Sequence, residues 1–188
     1  MKLYGSYTSP FVRHCRIVLA QNDRSYELEN TDYAASADQS PTCRVPFLTD
    51  GDLTLTDSAS ILRHLRQQAG QPFLADARQF DFFLLINTAL DSSINLFLLE
   101  KDGITPDQSA YLKRQQRRVS QILDWMERAL RDRTIAIEDD VSLRLGCFLS
   151  WVLFRQRLVL DNHPRLAEFQ RGFEQDPVVA GTHPVRAP

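Results

Sequence analysis

An Asp-Gly pair between two short apolar runs constrains the fold of this chain more than any other feature. The segment "VPFLTDGDLTLTDSASILRHL" (45–65) places Asp50-Gly51 between "VPFL" and "LTL". Asp-Gly suits the positive φ angles of a tight hairpin turn, so two antiparallel strands are predicted to meet here. Asp57 or Ser58 then caps a helix, because the following apolar residues lie at helical spacing: Ile61, Leu62 and Leu65.

The residues before this hairpin are typical of a strand, a helix and a second strand. "KLYGSY" (2–7) predicts the first strand, and Pro10 begins a run of apolar residues at helical spacing. Proline is pre-organised for the first helical position, which makes Ser9 the predicted N-cap. "SYELEN" (25–30) predicts the second strand, and the polar residues 31–43 predict a loop. The predicted order is β-α-β, loop, β-β-α, which indicates an α/β or α+β domain over residues 1–70.

The composition changes after a short linker at 71–75. Beyond it no convincing strand pair is found, and apolar residues recur at 3.6-residue spacing with charged residues on the other face. The pattern predicts an all-helical second domain over residues 76–188. Its four helices are expected at about 76–101, 107–132, 139–157 and 163–175.

Charge and cysteine usage exclude several classes of protein. The 188 residues contain 22 Lys and Arg against 24 Asp and Glu, so the formal net charge is −2. No overall field would draw such a chain to nucleic acid or to a membrane, and neither partner is expected. The basic run at 113–121 is interpreted as the solvated face of a helix. Three widely spaced cysteines fit neither a disulfide framework nor a metal site, and with no signal peptide they indicate a cytoplasmic protein.

Two N-terminal motifs and the helical second half together resemble the cytosolic glutathione transferases. The motifs are "MKLYGSYTSPFVRHCRI" (1–17) and "RVPFLTDGDLTLTDSASI" (44–61), and "GCFLSWVLFR" (146–155) is similar to a helix of the second domain. The bacterial YibF-type members are the most similar to the opening segment. The resemblance implies a thioredoxin-like N-terminal domain of order βαβ-ββα followed by an all-α domain.

The resemblance also implies a binding site for glutathione, with no metal. Pro46 would be a cis-proline that opens the third strand and leaves the Val45 backbone free to pair with the cysteinyl backbone of glutathione. Asp57 would pair with the α-ammonium group of the γ-glutamyl end, and Ser58 with the helix amides would bind its α-carboxylate. Arg44 would hold the glycyl carboxylate, or would be a solvated loop arginine.

Ser9 has a further role in this resemblance. It aligns with the first cysteine of the redox motif CPxC, here "SPFV" (9–12), so dithiol exchange by this motif is excluded. A hydroxyl at a helix N-terminus can donate a hydrogen bond to the glutathione sulfur and favour its thiolate. Thr8 and Tyr7 are the alternative donors.

Other residues carry separate expectations. The electrophile pocket is predicted around three aromatic residues, Phe97, Tyr111 and Trp151. Cys43 is either a reactive thiol or an inert loop residue, and His14 is expected to be exposed. Arg144, in a largely apolar helix, must reach solvent, a carboxylate or the active-site cleft.

The resemblance leaves three functions open. The first is detoxifying conjugation of glutathione to a small hydrophobic electrophile in a cleft between the domains, by a homodimer. The second is glutathione-dependent reduction of disulfides or peroxides. The third is a non-catalytic interaction protein of the stringent-starvation type, which binds RNA polymerase.

Overall fold

The computed structural model describes most of the chain, namely residues 1–31, 33–132 and 139–184. The strands are β1 (Lys2–Tyr4), β2 (Glu27–Glu29), β3 (Phe47–Asp50) and β4 (Leu53–Leu55). The helices are α1 (Pro10–Gln21), α2 (Tyr33–Gln39), α3 (Ser58–Gln68), α4 (Ala77–Lys101), α5 (Ala110–Ala129), α6 (Asp140–Phe154), α7 (Pro164–Gln175) and α8 (Pro177–Ala180). The chain divides into two compact units. One contains Met1–Ala75 with the described residues from Glu174 onward, and the other is Asp76–Phe173.

The first unit is built on a four-stranded mixed sheet in the order β2-β1-β3-β4. β1 is parallel to β2 and antiparallel to β3, and β3 forms the predicted hairpin with β4. Gly51 has a φ of 61° in the hairpin turn, a conformation that glycine adopts without steric cost. Leu3 pairs with Leu48 across β1 and β3, and both side chains are fully buried. This mixed sheet with helices packed on it confirms the predicted thioredoxin-like fold. The helical region that follows it confirms the predicted all-α part.

The polar segment 31–43 is not the uninterrupted loop that its composition predicts. α2 forms within it, and Ser36 at its centre is fully buried. Ala34 and Ala35 lie in its first turns, and alanine has the highest intrinsic helix propensity of any residue. The prediction of a loop was therefore wrong over these seven residues, because large apolar side chains are not required for a short helix.

His14 is fully buried, and the prediction that it is exposed was wrong. α1 packs against α3 and also against α8. Because two neighbouring helices cover it, α1 buries polar side chains beside its apolar face, including Arg13 and His14. The amphipathic pattern of α1 predicted one covered face, and α8 lies too far along the chain for that pattern to reveal the second.

Arg13 joins α1 to the C-terminal segment of the same unit. The side chain is 2% exposed and donates hydrogen bonds of 3.0 and 2.9 Å to the two carboxylate oxygens of Glu174. It also donates to Thr182 Oγ1 at 3.2 Å and to the Val179 carbonyl at 3.1 Å. The segment from Glu174 onward consequently groups with the N-terminal residues, whereas the predicted boundary placed all of 76–188 in the helical domain.

The second unit is helical, and α4 packs against both α5 and α6. α6 is buried at every residue from Asp140 to Val152, as expected for a helix that is apolar nearly all round. Asp139 caps it as predicted, accepting a hydrogen bond of 2.7 Å from the Val141 amide. Arg144 does not reach solvent: it is fully buried, with its guanidinium 4.7 Å from the centroid of the Phe83 ring.

α4 is the one helix within the described residues that is long and apolar enough to cross a bilayer by length and composition alone. Its most apolar 18-residue window has a mean hydropathy of 1.6, and 44% of that window is buried inside the protein. Because core helices of soluble proteins meet the same criterion, this property is weak evidence of a membrane span.

Two glycines of the helical unit give a matched test of packing. Gly146 of α6 lies against α7, where an added Cβ would come 2.3 Å from the ring of Phe173. Phe173 is 1% exposed, so a shift of its ring would disturb the residues packed around it. We expect Gly146→Ala to lower the free energy of unfolding by about 1–3 kcal/mol, measured by urea denaturation, because overpacking displaces a buried ring.

Gly172 is the control for this substitution. It lies in α7, one residue before Phe173, and an added Cβ there meets nothing within 4 Å. Gly172→Ala should stabilise the protein by about 0.5–1 kcal/mol through helix propensity. Equal effects of the two substitutions would contradict the packing argument.

Candidate functional site

Three segments of the first unit leave the sheet at the same end. Tyr4, the last residue of β1, pairs with Phe47, the first residue of β3, and their rings stack at 4.3 Å. Leu55, the last residue of β4, pairs with Leu48. The chain therefore leaves β1 toward Ser9, enters β3 from residues 44–46, and leaves β4 toward residues 57 and 58. All three points lie at the same end of the sheet. The register thus brings together the termini from which all the predicted glutathione-binding residues extend.

Ser9 is the N-cap of α1, as the sequence predicts. Its backbone is extended, with φ −75° and ψ 126°, and its Oγ accepts a hydrogen bond of 3.4 Å from the Val12 amide. A serine hydroxyl has two acceptor lone pairs and one donor hydrogen. Since the cap uses a lone pair, the hydrogen stays available, and within the described residues the Ser9 hydroxyl donates to no other group.

Of the two alternative donors, Thr8 contacts a neighbouring hydroxyl, and the ring of Tyr7 contacts an arginine. Thr8 Oγ1 lies 3.0 Å from Ser6 Oγ, and the Thr8 amide donates to that same Ser6 oxygen at 3.3 Å. The guanidinium of Arg16 lies 5.2 Å from the centroid of the Tyr7 ring. Arg16 also donates to the Thr182 carbonyl at 3.1 Å, so the loop before α1 and the C-terminal segment share this arginine.

The second segment is the entry to β3. The Val45–Pro46 peptide bond is cis, Pro46 is buried, and Val45 is half-buried. Within the described residues no hydrogen bond is made by the Val45 backbone. Arg44 is exposed beside it. Cys43 is an exposed free thiol with a φ of 49°, and its amide donates to the Ser40 carbonyl at 2.9 Å.

The third segment is the start of α3. Asp57 is the N-cap, and its Oδ1 accepts a hydrogen bond of 2.8 Å from the Ala59 amide. The carboxylate is otherwise exposed, whereas Ser58, the first residue of the helix, is 6% exposed. The sequence left open whether Asp57 or Ser58 is the cap, and the structure assigns it to Asp57.

Of the three aromatic residues predicted to line an electrophile pocket, two are in contact. Phe97 of α4 and Trp151 of α6 meet edge to face at 5.6 Å, and Trp151 is 5% exposed. Tyr111 lies at the start of α5 and is 58% exposed. The guanidinium of Arg114 lies 5.3 Å from the centroid of its ring.

Phe97 is surrounded by cations that the sequence analysis missed. Lys101, Arg155 and Arg157 lie 4.8, 5.1 and 5.8 Å from the centroid of its ring. Lys101 follows Phe97 by one helical turn, and that spacing was available as a signal. The arginines lie more than fifty residues further along the chain, so only the packing of α4 against α6 reveals them.

Arg157 forms an ion pair with Glu100 of α4. Its guanidinium donates two hydrogen bonds to the carboxylate, of 2.5 and 2.7 Å. These hydrogen bonds hold the pKa of Glu100 below its ordinary value, against the smaller opposing effect of burial. The same pair raises the pKa of Arg157.

Glu100→Gln should lower the free energy of unfolding at pH 7 by about 1 kcal/mol, since the carboxylate is 34% exposed and solvent screens the pair. The folded-state pKa of Glu100 is below its unfolded value, so its stabilisation is present above the unfolded pKa. The difference between wild type and variant should therefore disappear as the pH falls through that lowered pKa. Urea denaturation at several pH values measures it, and a difference that persists in acid would contradict the assignment.

No group of three or more His, Cys, Asp or Glu side chains within the described residues is arranged to hold a metal ion. The candidate site consists of backbone and side-chain groups of the first unit, with two helix N-termini that contribute positive partial charge.

Residues 3–73 match the family model described as the N-terminal domain of glutathione S-transferase. No curated protein matches the chain. Solved structures resemble it over nearly its whole length. A glutathione S-transferase from Methylobacillus flagellatus, with glutathione bound, has a TM-score of 0.84 and 22% identity, over 97% of this chain and 98% of that one.

Two further structures give the same result. A glutathione S-transferase from Methylobacterium radiotolerans, in complex with glutathione sulfonate, has a TM-score of 0.82 and 24% identity, over 96% of this chain and 93% of that one. A bacterial maleyl pyruvate isomerase, a Zeta-class glutathione S-transferase, has a TM-score of 0.81 and 20% identity, over 100% and 99%. At these identities the likeness establishes the fold.

Proposed function

We propose that this chain, which has the glutathione S-transferase fold, binds glutathione in its first unit and transfers the glutathione thiolate to a small electrophile. The observation that carries the proposal is the sheet register, which brings to one end of the sheet the strand ends that lead to Ser9, Val45 and Asp57. Two of the similar structures contain glutathione or glutathione sulfonate, which supports this choice of ligand.

Each part of glutathione has a partner in this proposal. Val45 lies outside the strands, and within the described residues its backbone makes no hydrogen bond. This backbone pairs with the cysteinyl backbone of the tripeptide. The exposed carboxylate of Asp57 binds the α-ammonium group, and Ser58 with the amides of α3 binds the α-carboxylate. Arg44, exposed before Val45, binds the glycyl carboxylate.

Ser9 acts on the sulfur. Its Oγ accepts the capping hydrogen bond from the Val12 amide. Its O–H group donates a hydrogen bond to the thiolate. Lowering a thiol pKa by about two units takes about 2.7 kcal/mol. A charge-assisted hydrogen bond of about 1.5–3 kcal/mol with a helix-dipole contribution of about 0.3–1 kcal/mol is sufficient. The thiol proton passes to solvent, and the thiolate forms a carbon–sulfur bond to the electrophile as a leaving group departs, chloride in the case of a chlorinated aromatic. Phe97, Tyr111 and Trp151 are the residues proposed to bind the electrophile.

Isothermal titration with glutathione tests the proposal. Wild-type protein should bind glutathione with measurable heat, and Asp57→Ala should weaken binding by about tenfold or more, because it removes the carboxylate partner of the α-ammonium group. Asp57→Asn keeps the helix cap and removes the charge, so its affinity should fall almost as far. No heat from folded wild-type protein at millimolar glutathione would overturn the proposal.

Activity assays distinguish the reaction classes. Conjugation predicts turnover of a chlorinated aromatic electrophile with glutathione. Turnover of a glutathionyl mixed disulfide or a peroxide instead would identify the reductase. Recovery of RNA polymerase in a pull-down unaffected by glutathione, with neither activity, would identify the non-catalytic interaction protein.

The finer assignments belong to the same proposal. We place the chain with the YibF-type members on the similarity of its opening segment, as a cytoplasmic homodimer with a role in detoxification. Sedimentation equilibrium tests the oligomeric state, and a monomer at micromolar concentration would contradict it.

A further inference from the structure

A short turn places Ser9 at the start of α1. The Ser9 amide donates to the Ser6 carbonyl at 3.0 Å, which closes a β-turn with Tyr7 and Thr8 as its central residues. We call it the Ser6–Ser9 turn. Its four residues are all half-buried, so the turn has little packing of its own. The position of the Ser9 hydroxyl therefore depends on the groups that contact this turn.

Arg16 contacts the Ser6–Ser9 turn from further along α1. Its guanidinium lies 5.2 Å from the centroid of the Tyr7 ring, a distance at which an aromatic face attracts a cation. Long side chains of a helix extend toward its N-terminus, which is how Arg16 reaches back to Tyr7. Tyr7 is the largest side chain of the turn, so a contact that holds its ring also restrains the turn.

The C-terminal segment of the same unit holds the Arg16 guanidinium in place. Nη1 of Arg16 donates a hydrogen bond of 3.1 Å to the Thr182 carbonyl. Thr182 is 5% exposed, and its amide and hydroxyl both donate to the Val179 carbonyl, at 3.0 and 2.7 Å. The hydroxyl also accepts a hydrogen bond of 3.2 Å from Arg13. The residue whose carbonyl receives Arg16 is thus fixed by its own hydrogen bonds.

We propose that Arg16 is a positioning residue for Ser9. Anchored on Thr182, it holds the Tyr7 ring and with it the Ser6–Ser9 turn, so that the Ser9 hydroxyl faces the sulfur of bound glutathione. The inference rests on the proposed function, because that function supplies the sulfur. It gives the C-terminal segment a part in the site, although Thr182 lies 166 residues after Arg16. All of these residues belong to the first unit.

Arg16→Met tests the proposal because it keeps a long side chain and removes the guanidinium. The pKa of the bound thiol should rise by about half a unit to one unit, less than in Ser9→Ala, because the Ser9 hydroxyl is present but no longer held. Glutathione affinity should stay within about threefold, since Val45 and Asp57 lie on other segments. Arg16→Lys, which keeps a cation for the ring and a donor for the carbonyl, should recover about half of the shift.

Two substitutions of Tyr7 separate its ring from its hydroxyl. Tyr7→Phe keeps the ring and should leave the thiol pKa within about 0.2 units of wild type, whereas Tyr7→Leu should raise it as Arg16→Met does. An equal rise in Tyr7→Phe would overturn the proposal, because the Tyr7 hydroxyl would then be the donor to the sulfur. Tyr7→Leu also provides the test if Arg16→Met does not fold, which circular dichroism determines for each variant.

Arg66→Met is the matched control. Arg66 is 4% exposed, belongs to the same unit, and donates a hydrogen bond of 3.2 Å to Gln21 at the other end of α1. Its loss should destabilise the protein and leave the thiol pKa unchanged. An equal rise of the thiol pKa in Arg66→Met would overturn the proposal, because it would indicate a general loosening of α1.

Hydrogen exchange of the Ser9 amide tests the restraint on the turn without glutathione. The Ser6 carbonyl protects this amide, so Arg16→Met and Tyr7→Leu should each speed its exchange by about threefold or more, and Arg66→Met should not. Unchanged exchange in the folded Arg16→Met and Tyr7→Leu variants would overturn the inference, whatever glutathione does.

The two proposals fail in distinguishable ways. A thiol pKa that rises in Ser9→Ala and stays unchanged in Arg16→Met would overturn this inference and leave the proposed function standing. No binding of glutathione by the wild-type protein would overturn the proposed function, and with it the role of Arg16 in positioning Ser9 toward the sulfur.

Discussion

Ser9→Ala should leave glutathione bound but largely protonated at neutral pH. The substitution removes the hydroxyl that donates to the sulfur, so the pKa of the bound thiol should rise by about one to two units from about 6.5, leaving about threefold to 25-fold less thiolate at pH 7. Ultraviolet absorbance of the thiolate, followed across pH in the complex, measures this pKa directly. The rate of conjugation at neutral pH should fall by the same factor.

A control must remove the effect of the lost helix cap. Ser9 accepts its capping hydrogen bond at 3.4 Å, so its loss should cost no more than about 1 kcal/mol of stability. Asp139→Ala removes a shorter cap, of 2.7 Å, from α6. It should destabilise the protein at least as much and leave the thiol pKa unchanged. An unchanged thiol pKa in Ser9→Ala would exclude Ser9 from the mechanism, and would direct attention to Thr8 or Tyr7.

Glu174→Ala should cause the largest loss of stability, about 3 kcal/mol in urea denaturation at pH 7. The Arg13 guanidinium is 2% exposed, and the substitution removes the carboxylate to which it donates two hydrogen bonds. Breaking a buried pair from one side typically costs about 3–5 kcal/mol, because a charge stays buried without its counter-ion. We expect a loss of stability at the lower end of this range because the Glu174 side chain is 22% exposed.

Two further variants separate the buried charge from the general effect of a lost ion pair. Lys113→Ala breaks a pair with Asp107 that has a 3.6 Å contact and side chains 58% and 94% exposed, so its effect should stay within about 0.5 kcal/mol. Arg13→Met combined with Glu174→Leu should recover most of the stability that Glu174→Ala loses. A loss below about 1 kcal/mol in Glu174→Ala would contradict the assignment.

Local sequence signals were sufficient wherever the cause of a structure is local. The Asp50-Gly51 turn, the Ser9 and Asp139 caps, and the long helices α4 and α6 follow from residues within a few positions of one another. α2 was missed although its cause is also local, because the prediction gave large apolar residues more weight than the alanine propensity of a short helix. The sequence alone left Asp57 and Ser58 as alternative caps, since either side chain can accept the hydrogen bond.

The charged contacts could not be predicted in the same way. Arg144 over Phe83, Arg13 with Glu174, and the two arginines beside Phe97 each join residues that are far apart in the chain. Arginine is a common surface residue, and its position in a helix does not indicate which distant element will cover it. Of these side chains, only Arg144 was conspicuous in sequence, because it interrupts an apolar run.

The sequence by itself determined the two-part fold, the helix starts and the types of group available for binding, because hydrophobic spacing and capping act over a few residues. Only the tertiary structure decided which of those groups meet. The register of β1, β3 and β4 brings the starting points of three separate segments to one end of the sheet. Helix packing brings Arg155 and Arg157 to Phe97 and buries Arg13 beneath the C-terminal segment. Such contacts depend on how whole elements pack, and no local pattern encodes them.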